Sequence, residues 1–160
     1  MTERRDVTRD HLRTLFRLKV KPEQDGQVAP NAITLAQAAY EPGGYVWGLW
    51  DGDAPVGLMA MIHPLESPDT SEDLRDAAYV WRLMIDAAHQ GAGHGRAALR
   101  EVALQAQAWG MPRVALSAVE TELGAIPFYE RFGFVRTGRI VHGEVEFVVQ
   151  TESLLAASSS

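Results

Sequence analysis

A glycine-rich loop follows an apolar segment near the middle of the chain, and its residue types suit the binding of an anion. Residues 79–86 read as a buried strand, and the loop Gln90-Gly-Ala-Gly-His-Gly-Arg96 leads directly into an amphipathic helix. Gly91, Gly93 and Gly95 allow a tight bend that exposes successive backbone N–H groups. The start of the helix adds unpaired N–H donors and the positive end of its dipole. The pattern predicts a pyrophosphate site, although such turns also occur simply to pack a strand against a helix.

A second motif follows the loop in a fixed order. The loop has the form Gln90-x-x-Gly93-x-Gly95, and a predicted helix and strand separate it from Phe128-Tyr-Glu-Arg-Phe-Gly-Phe134. This order resembles the GNAT superfamily of N-acetyltransferases, whose signature is Arg or Gln followed by x-x-Gly-x-Gly or Ala, with a Tyr-Glu-Lys-x-Gly-Phe-like segment further on. Two motifs in the right order are more specific than either motif alone.

Segments outside these motifs resemble the bacterial spermine/spermidine, or polyamine, branch of the same superfamily. They are Leu18-Lys-Val20, Gln24, Val28-Ala-Pro-Asn31, Leu35-Ala-Gln-Ala38 and Trp81-Arg-Leu-Met-Ile-Asp86. The resemblance runs from about Asp6 to about Val149. It implies an α+β, GNAT-like fold, in which helices flank a mixed, mostly antiparallel sheet whose central strands splay apart.

The resemblance also implies acetyl-CoA as the cosubstrate, held in the wedge between the splayed strands. Its pantetheine arm would pair with the main chain at Met84 and Ile85, whose side chains could otherwise serve only as core. Arg96 and Arg131 could reach terminal phosphates, or could be solvated surface arginines. The pyrophosphate would be received by the backbone of Gln90, Gly91, Ala92, Gly93, His94, Gly95 and Arg96.

Tyr129 is the candidate catalytic residue. In the family, the tyrosine at the matching position is thought to act on the leaving thiolate of coenzyme A. A thiol pKa of about 8.5 makes that thiolate a good acceptor of a proton or a hydrogen bond from a phenol. A tyrosine on a short apolar helix is often a half-buried core residue, but the glycine loop favours the functional interpretation.

The attacking amine must lose its charge before it can react. With a lysine-like pKa near 10.4, deprotonation at pH 7 costs roughly 4 kcal/mol, so a general base or an ordered water should assist. Such acidic groups could also bind the remaining cationic nitrogens of a polyamine. The sequence leaves five candidates open: Glu41, Asp86, Glu120, Glu122 and Glu144.

One position departs from the family pattern. Many members carry a cofactor-contacting asparagine seven positions before the tyrosine, and this chain has Glu122 there. A carboxylate beside a phosphate-bearing cofactor is unfavourable unless it points away, so the asparagine's role is not carried over. The departure supports an alternative function, a non-catalytic acetyl-CoA-binding sensor or assembly module. A purely structural interaction protein would leave the paired motifs unexplained.

Composition narrows the functional classes. A chain of 160 residues that is 46% hydrophobic predicts one domain, over residues 1–152, followed by a disordered tail at 153–160. A net charge of −6 argues against nucleic-acid partners and slightly favours a cationic substrate such as a small-molecule amine. Dispersed histidines and the absence of cysteine predict no metal site and no cysteine nucleophile.

The distribution of apolar residues along the chain predicts where the protein is located. No apolar run is long enough to cross a bilayer, and the N-terminal residues lack the apolar stretch of a secretion signal. We therefore expect a soluble, cytoplasmic protein without a membrane partner. Because members of the superfamily are often dimers, a homodimer is possible.

The elements that must position the two motifs can be read from periodicity and turn chemistry. A capped helix begins near Thr8, and Asn31 is the expected N-cap of a second helix that ends at Tyr40. The helix from about Gly95 to Trp109 should pack one apolar face on the sheet. Further strands are expected over 45–50, 56–63, 79–86, 114–119, 134–140 and 145–149, with a short helix over 124–132 and an irregular loop over 64–76.

Overall fold

A seven-stranded mixed sheet organises the molecule, in the order β1-β2-β3-β4-β5-β7-β6. The computed structural model describes residues 1–159. Only β4 and β5 pair in parallel, and every other neighbouring pair is antiparallel. The strands are β1 (Thr2–Asp6), β2 (Gly44–Asp51), β3 (Ala54–Ile62), β4 (Ala77–Ile85), β5 (Arg113–Ala118), β6 (Val135–Val141) and β7 (Glu144–Gln150).

Five α-helices and four single 3-10 turns accompany the sheet. The helices are α1 (Leu12–Arg17), α2 (Asn31–Ala38), α3 (His94–Ala108), α4 (Ile126–Arg131) and α5 (Thr151–Ser159). The 3-10 turns are Arg9–His11, Pro22–Gln24, Glu72–Leu74 and Ala87–His89. Within residues 1–159, no helix has both the length and the apolar character needed to cross a bilayer. The expected α+β architecture, a mostly antiparallel sheet flanked by helices, is confirmed.

Helix α3 supplies the main contact between the helices and the sheet. The apolar face expected from the sequence is completely buried, because Leu99, Val102, Ala103 and Ala106 are all inaccessible to solvent. The helix ends at Ala108, and two residues further on Gly110 has a φ of +72°, which only glycine adopts at little cost. There the Met111 N–H donates to the Ala106 carbonyl at 2.9 Å, a Schellman-type closure.

The sheet opens between β4 and β5. These strands pair only from Ala77 and Arg113 to Val80 and Leu116. On the other side of β4, the register with β3 shifts so that Trp81 has no partner, and such a bulge bends its strand. The rest of β4 therefore leaves β5, while β5 stays paired with β7 as far as Ala118. The expected splay of the central strands is confirmed.

Helices α1 and α2 cover the face of the sheet near the end of β4. Leu15 of α1 is fully buried and packs in one cluster with Leu58 and Met84. Asn31 was expected to cap α2 but is the first residue of that helix, after Pro30. Its buried amide instead donates to the Leu15 carbonyl at 2.8 Å. The expectation was wrong because the side chain satisfies the end of α1 rather than the start of its own helix.

Both ends of the chain are more ordered than the sequence indicated. β1 pairs with β2 along an edge of the sheet, although its sequence Thr-Glu-Arg-Arg-Asp lacks an apolar alternation. The disordered tail expected at 153–160 is wrong as far as Ser159, because α5 occupies that segment and Leu154 is fully buried. Ser160 lies outside the described residues. At the start of α5, Thr151 Oγ1 donates to the Met111 carbonyl at 2.7 Å.

We predict that Leu154→Ala lowers the free energy of unfolding by about 2 to 5 kcal/mol, because it leaves a cavity in the core. Urea denaturation followed by circular dichroism measures this change. Ser153→Ala, at an exposed position of the same helix, is the matched control and should change stability by less than about 0.5 kcal/mol. Equal stability of both variants would contradict the packing of α5.

Candidate functional site

A cleft of about 670 Å³ lies where β4 and β5 part. Both sequence motifs contribute to its walls, which are formed by the end of β4, the glycine loop, the end of β5 and the first residues of α4. A fifth wall comes from the segment over residues 20–29. Of the eleven predicted site residues, only Ala92 lies outside the lining, as an exposed residue of the loop. The fold therefore brings the two motifs together.

The loop backbone adopts the tight, glycine-dependent bend that its sequence predicts. Gly91 and Gly93 have φ values of +83° and +85°, which favour glycine strongly. Helix α3 begins directly after Gly93, whose carbonyl accepts the Ala97 N–H at 3.1 Å. The N–H groups of the first helical turn have no acceptor within their own helix, and the helix dipole adds a positive field at that end. Backbone donors and dipole thus meet at the wall of the cleft.

Three side chains of the loop hold it to its surroundings. Gln90 Nε2 donates to the Ile85 carbonyl at 3.0 Å and to Gln24 Oε1 at 2.8 Å. The His94 ring lies 2.6 Å from Thr2 Oγ1 of β1. Arg96 Nη2 donates to the Ala157 carbonyl of α5 at 3.2 Å. These contacts fix the loop on β1, β4 and α5, and the Arg96 guanidinium is used at least partly for that purpose.

Gly95 permits a close approach between α3 and α4. A Cβ atom at this position would lie 3.1 Å from Phe128 Cζ, closer than most real contacts of this kind. Phe128 lies in the cleft wall directly before Tyr129. Gly95 therefore sets the spacing between the loop and the tyrosine motif, in addition to leaving the backbone accessible.

Met84 and Ile85 lie on the part of β4 that has left β5. The Met84 side chain is only 5% exposed and packs with Leu15 and Leu58, as the core interpretation expected. The Ile85 carbonyl accepts the Gln90 side chain. The side chain of Met84 thus serves the core, and any role of this segment in binding falls to its main chain.

Tyr129 lies among aromatic rings. Its ring meets those of Phe128 and Phe134 edge-on, at centroid distances of 5.5 and 5.6 Å. Burial raises the pKa of Tyr129 to about 12. The phenol is therefore neutral at physiological pH and can donate a hydrogen bond into the cleft that it lines. Arg131, two residues further on, is exposed at the same cleft, with its guanidinium 5.9 Å from the Phe128 ring centroid.

A second cleft of about 640 Å³ adjoins the first. Four residues line both clefts: Trp81, Arg82, Ser117 and Glu144. The lining of the second cleft carries four carboxylates and two guanidinium groups, namely Glu41, Asp69, Glu144, Glu146, Arg82 and Arg139. Its formal charge is therefore −2, which suits a cationic ligand.

The five acidic residues that are candidates for the general base lie in different surroundings. Glu144 lines both clefts, and Glu41 lines the second one. Asp86 accepts the Lys19 N–H at 2.9 Å and the Ala88 N–H at 3.3 Å, so it stabilises the backbone. Glu120 pairs with Arg136 on the surface at 2.9 Å. Glu122 is exposed and lines neither cleft.

Sequence reasoning missed a chain of hydroxyl groups at the junction of the clefts. Tyr79 Oη lies 2.8 Å from Ser117 Oγ, which lies 3.0 Å from Glu144 Oε1. It also missed Arg82, which donates from Nη1 to Thr34 Oγ1 at 3.0 Å. These residues come from β4, β5 and β7, and no local pattern signals them because only strand register brings them together. Among residues 1–159, no cluster of three or more potential metal ligands occurs.

Comparison with known proteins identifies the family of the chain. Residues 8–134 match the sequence model of the Acetyltransferase (GNAT) family. A spermine/spermidine N(1)-acetyltransferase of Bacillus subtilis (strain 168) is 30% identical over 142 residues, which cover 84% of this chain and 88% of the relative.

Solved structures share the fold. The aminoglycoside acetyltransferase AAC(6')-Ib in complex with coenzyme A and kanamycin superposes with a TM-score of 0.78 at 16% identity, covering 99% of this chain and 100% of that one. A spermidine N-acetyltransferase from Vibrio cholerae in complex with coenzyme A and spermine superposes with a TM-score of 0.71 at 16% identity. The superposition covers 96% of this chain and 98% of that one.

The splayed sheet, the matched family and the named relatives together place the chain in the acetyl-CoA-dependent class of acyltransferases. The chain belongs to the GNAT acetyltransferase family and is an acetyl-CoA-dependent N-acetyltransferase.

We predict that Gly93→Ala weakens acetyl-CoA binding at least about tenfold, or about 1.4 kcal/mol, because strain in the left-handed region displaces the loop backbone. Isothermal titration calorimetry measures the affinity. Gly110→Ala is the matched control, since Gly110 also has a positive φ and open space where a Cβ would lie, yet it follows the far end of α3. Both variants should lose about 1 to 2 kcal/mol of stability, and equal acetyl-CoA affinities would contradict the role of the loop.

Proposed function

We propose that this protein transfers the acetyl group of acetyl-CoA directly to a primary amine of a small molecule, with a polyamine as the preferred acceptor. The observation that carries this proposal is the meeting of two clefts of opposite character. One opens at the glycine loop, and the lining of the other carries two more carboxylates than guanidinium groups. A thioester and an amine that enter from the two clefts would meet at their four shared residues.

The first cleft suits acetyl-CoA. Its pyrophosphate would lie on the backbone of the loop from Gln90 to Arg96, with Arg131 available for a terminal phosphate. Its pantetheine arm would pair with the main chain of β4 at Met84 and Ile85, where β5 no longer supplies partners. The sequence contains no cysteine, which supports direct transfer without a thioester on the enzyme.

Tyr129 would stabilise the leaving group. With the pKa of Tyr129 at about 12 and that of a thiol at about 8.5, full proton transfer to the thiolate would cost about 5 kcal/mol. Donation of a hydrogen bond carries no such cost and stabilises the charge that develops on sulfur as the C–S bond breaks. We therefore assign Tyr129 the role of a hydrogen-bond donor to the thiolate, and the proton of the free thiol comes ultimately from the amine.

The second cleft suits an acceptor with several amines. Glu41 and Asp69 lie in the same cleft as the junction residue Glu144, so a cationic nitrogen remote from the reacting one would find a carboxylate there. The name of the Bacillus subtilis relative, a spermine/spermidine acetyltransferase, supports the same acceptor class.

The proposal extends to the cellular location, the oligomeric state and the partners of the enzyme. A cytoplasmic location would give it access to acetyl-CoA and polyamines. A homodimer could form along the edge strand β6, where Val135 and Ile140 are 60% and 65% exposed. With a net charge of −6, neither nucleic acid nor an anionic membrane is proposed as a partner. Sedimentation velocity would measure the oligomeric state.

The testing experiment measures free coenzyme A with a thiol-reactive dye. Acetyl-CoA is offered with polyamines, aminoglycosides, amino acids and short peptides, and the cysteine-free protein gives no background. Spermine or spermidine should exceed a monoamine of similar length by at least about tenfold in kcat/KM, because the monoamine lacks a second cation for the acidic lining. Turnover confined to aminoglycosides or amino acids would contradict the polyamine proposal. Tight acetyl-CoA binding without any turnover would favour the sensor or assembly module.

We predict that Tyr129→Phe keeps the affinity for acetyl-CoA but lowers kcat by about 10² to 10³, the usual cost of removing one such donor. Since the pKa of Tyr129 is about 12, the donor stays protonated, and the deficit should be constant from pH 7 to about pH 10. Steady-state kinetics across that range measure it. Tyr40→Phe, at a tyrosine that is 89% exposed, is the control. Unchanged turnover of Tyr129→Phe would remove this residue from the mechanism.

A further inference from the structure

We propose that Glu144 is a catalytic residue that receives a proton from the reacting amine, and that Ser117 and Tyr79 are positioning residues for its carboxylate. This inference rests on the proposed function and assigns the group that handles the proton of the acceptor. It selects one residue among the carboxylates that the sequence left open.

The position of Glu144 distinguishes it from every other acidic residue of the site. It begins β7, and it is the one carboxylate among residues 1–159 that lines both clefts. A nitrogen that reaches from the second cleft toward a thioester in the first must pass the four shared residues. Glu144 is therefore at the point where the acceptor's reacting nitrogen and the acetyl group would meet.

The hydrogen bonds around Glu144 have a single consistent direction. A carboxylate only accepts, so Ser117 must donate its one hydroxyl proton to Glu144 Oε1 at 3.0 Å. The Ser117 oxygen then accepts from the Tyr79 hydroxyl at 2.8 Å. Tyr79 on β4 and Ser117 on β5 thus hold one oxygen of the carboxylate. The other oxygen, Oε2, has no protein donor within residues 1–159, which leaves it for the substrate ammonium.

The remaining carboxylates of the second cleft are less suited to this role. Glu146 is almost fully buried, and it accepts from Thr137 Oγ1 and Arg139 Nε, both at 2.9 Å. Its second oxygen accepts from Arg139 Nη2 at 3.1 Å, so its charge is already paired. Glu41 and Asp69 line only the second cleft.

The chemical step balances as follows. The acceptor binds as an ammonium ion, the Glu144 carboxylate takes one of its protons, and the freed nitrogen lone pair forms the C–N bond to the carbonyl carbon of the thioester. Once the nitrogen is bonded to that carbon, its remaining protons become far more acidic than those of a free ammonium ion, and one of them leaves as the adduct collapses. The C–S bond then breaks, and coenzyme A departs as a thiolate that is hydrogen-bonded by Tyr129. The proton that leaves the adduct ends on the thiol, and the proton held by Glu144 passes to water when the product leaves.

The test compares Glu144→Gln with wild type in the coenzyme A release assay, using spermidine as the acceptor. Loss of a general base costs about 10² to 10⁴ in rate, so kcat should fall at least about 100-fold while the acetyl-CoA affinity is unchanged. Glu120→Gln, on the surface, is the matched control and should stay within about twofold of wild type. A rise in KM with unchanged kcat would show that Glu144 only binds the cation, and it would overturn the inference.

The pH profile supplies a readout that a merely structural role would not change. Without Glu144 only the free amine reacts, so kcat/KM of Glu144→Gln should rise about tenfold per pH unit from 7 to 9, more steeply than in wild type. Three ionisable neighbours keep their state in this range: Arg82 stays cationic, Glu146 is paired with Arg139, and burial raises the pKa of Tyr79 above its ordinary value. Parallel profiles for the two proteins would overturn the inference.

Ser117→Ala provides a second variant that keeps the carboxylate. It should lower kcat by about 5- to 20-fold, less than Glu144→Gln, because the base remains but is less well oriented. An unchanged kcat would overturn the positioning role.

The proposed function and the inference about Glu144 can fail separately. A wild-type protein that is inert with every amine overturns both of them. An active wild type with a fully active Glu144→Gln overturns the inference alone.

Discussion

The parting of β4 from β5 is the constraint on which the rest of the structure depends. A sheet that opens leaves backbone N–H and C=O groups without partners, and buried groups of this kind are costly unless they are satisfied. Gln90 satisfies part of the need, because its side chain donates to the Ile85 carbonyl at the end of the open stretch. The remaining main chain of β4 is a strand edge within the molecule, suited to a linear partner with amide groups of its own. Pantetheine is such a partner.

Several parts of the chain keep this opening in place. The bulge at Trp81 directs β4 away, while β7 keeps β5 in register beyond the point of separation. Helix α3 is held against β1 by the ion pair of Glu101 with Arg4 at 2.6 Å, and against α5 through Arg96. Its first turn and the glycine loop are therefore fixed at the mouth of the wedge. The positive end of that helix lines the first cleft, and a net negative charge lines the second cleft, as a phosphate-bearing cosubstrate and a cationic acceptor require.

The sequence predicted those parts of the site that are local in the chain. The glycine loop, the start of α3 and the Tyr129 motif each depend on residues that are close in sequence, and the structure places all three at one cleft. The junction of the clefts could not be predicted, because Tyr79, Ser117 and Glu144 meet only through the register of three strands. β1 was missed because it is a charged edge strand, and α5 because its few apolar residues resemble those of a frayed tail.

The different surroundings of the two proton-handling groups explain why each would take its own role. Tyr129 lies among the rings of Phe128 and Phe134, where an ionised phenolate is poorly solvated, and its pKa rises to about 12. Glu144 accepts a hydrogen bond from Ser117 and lies near Arg82, surroundings that suit a negative charge. A neutral phenol and a carboxylate thus line the same cleft, each in surroundings that suit its role. Tyr129 would face the sulfur that gains negative charge, and Glu144 would face the nitrogen that loses protons. Both changes of charge during acetyl transfer would therefore be stabilised without movement of the backbone.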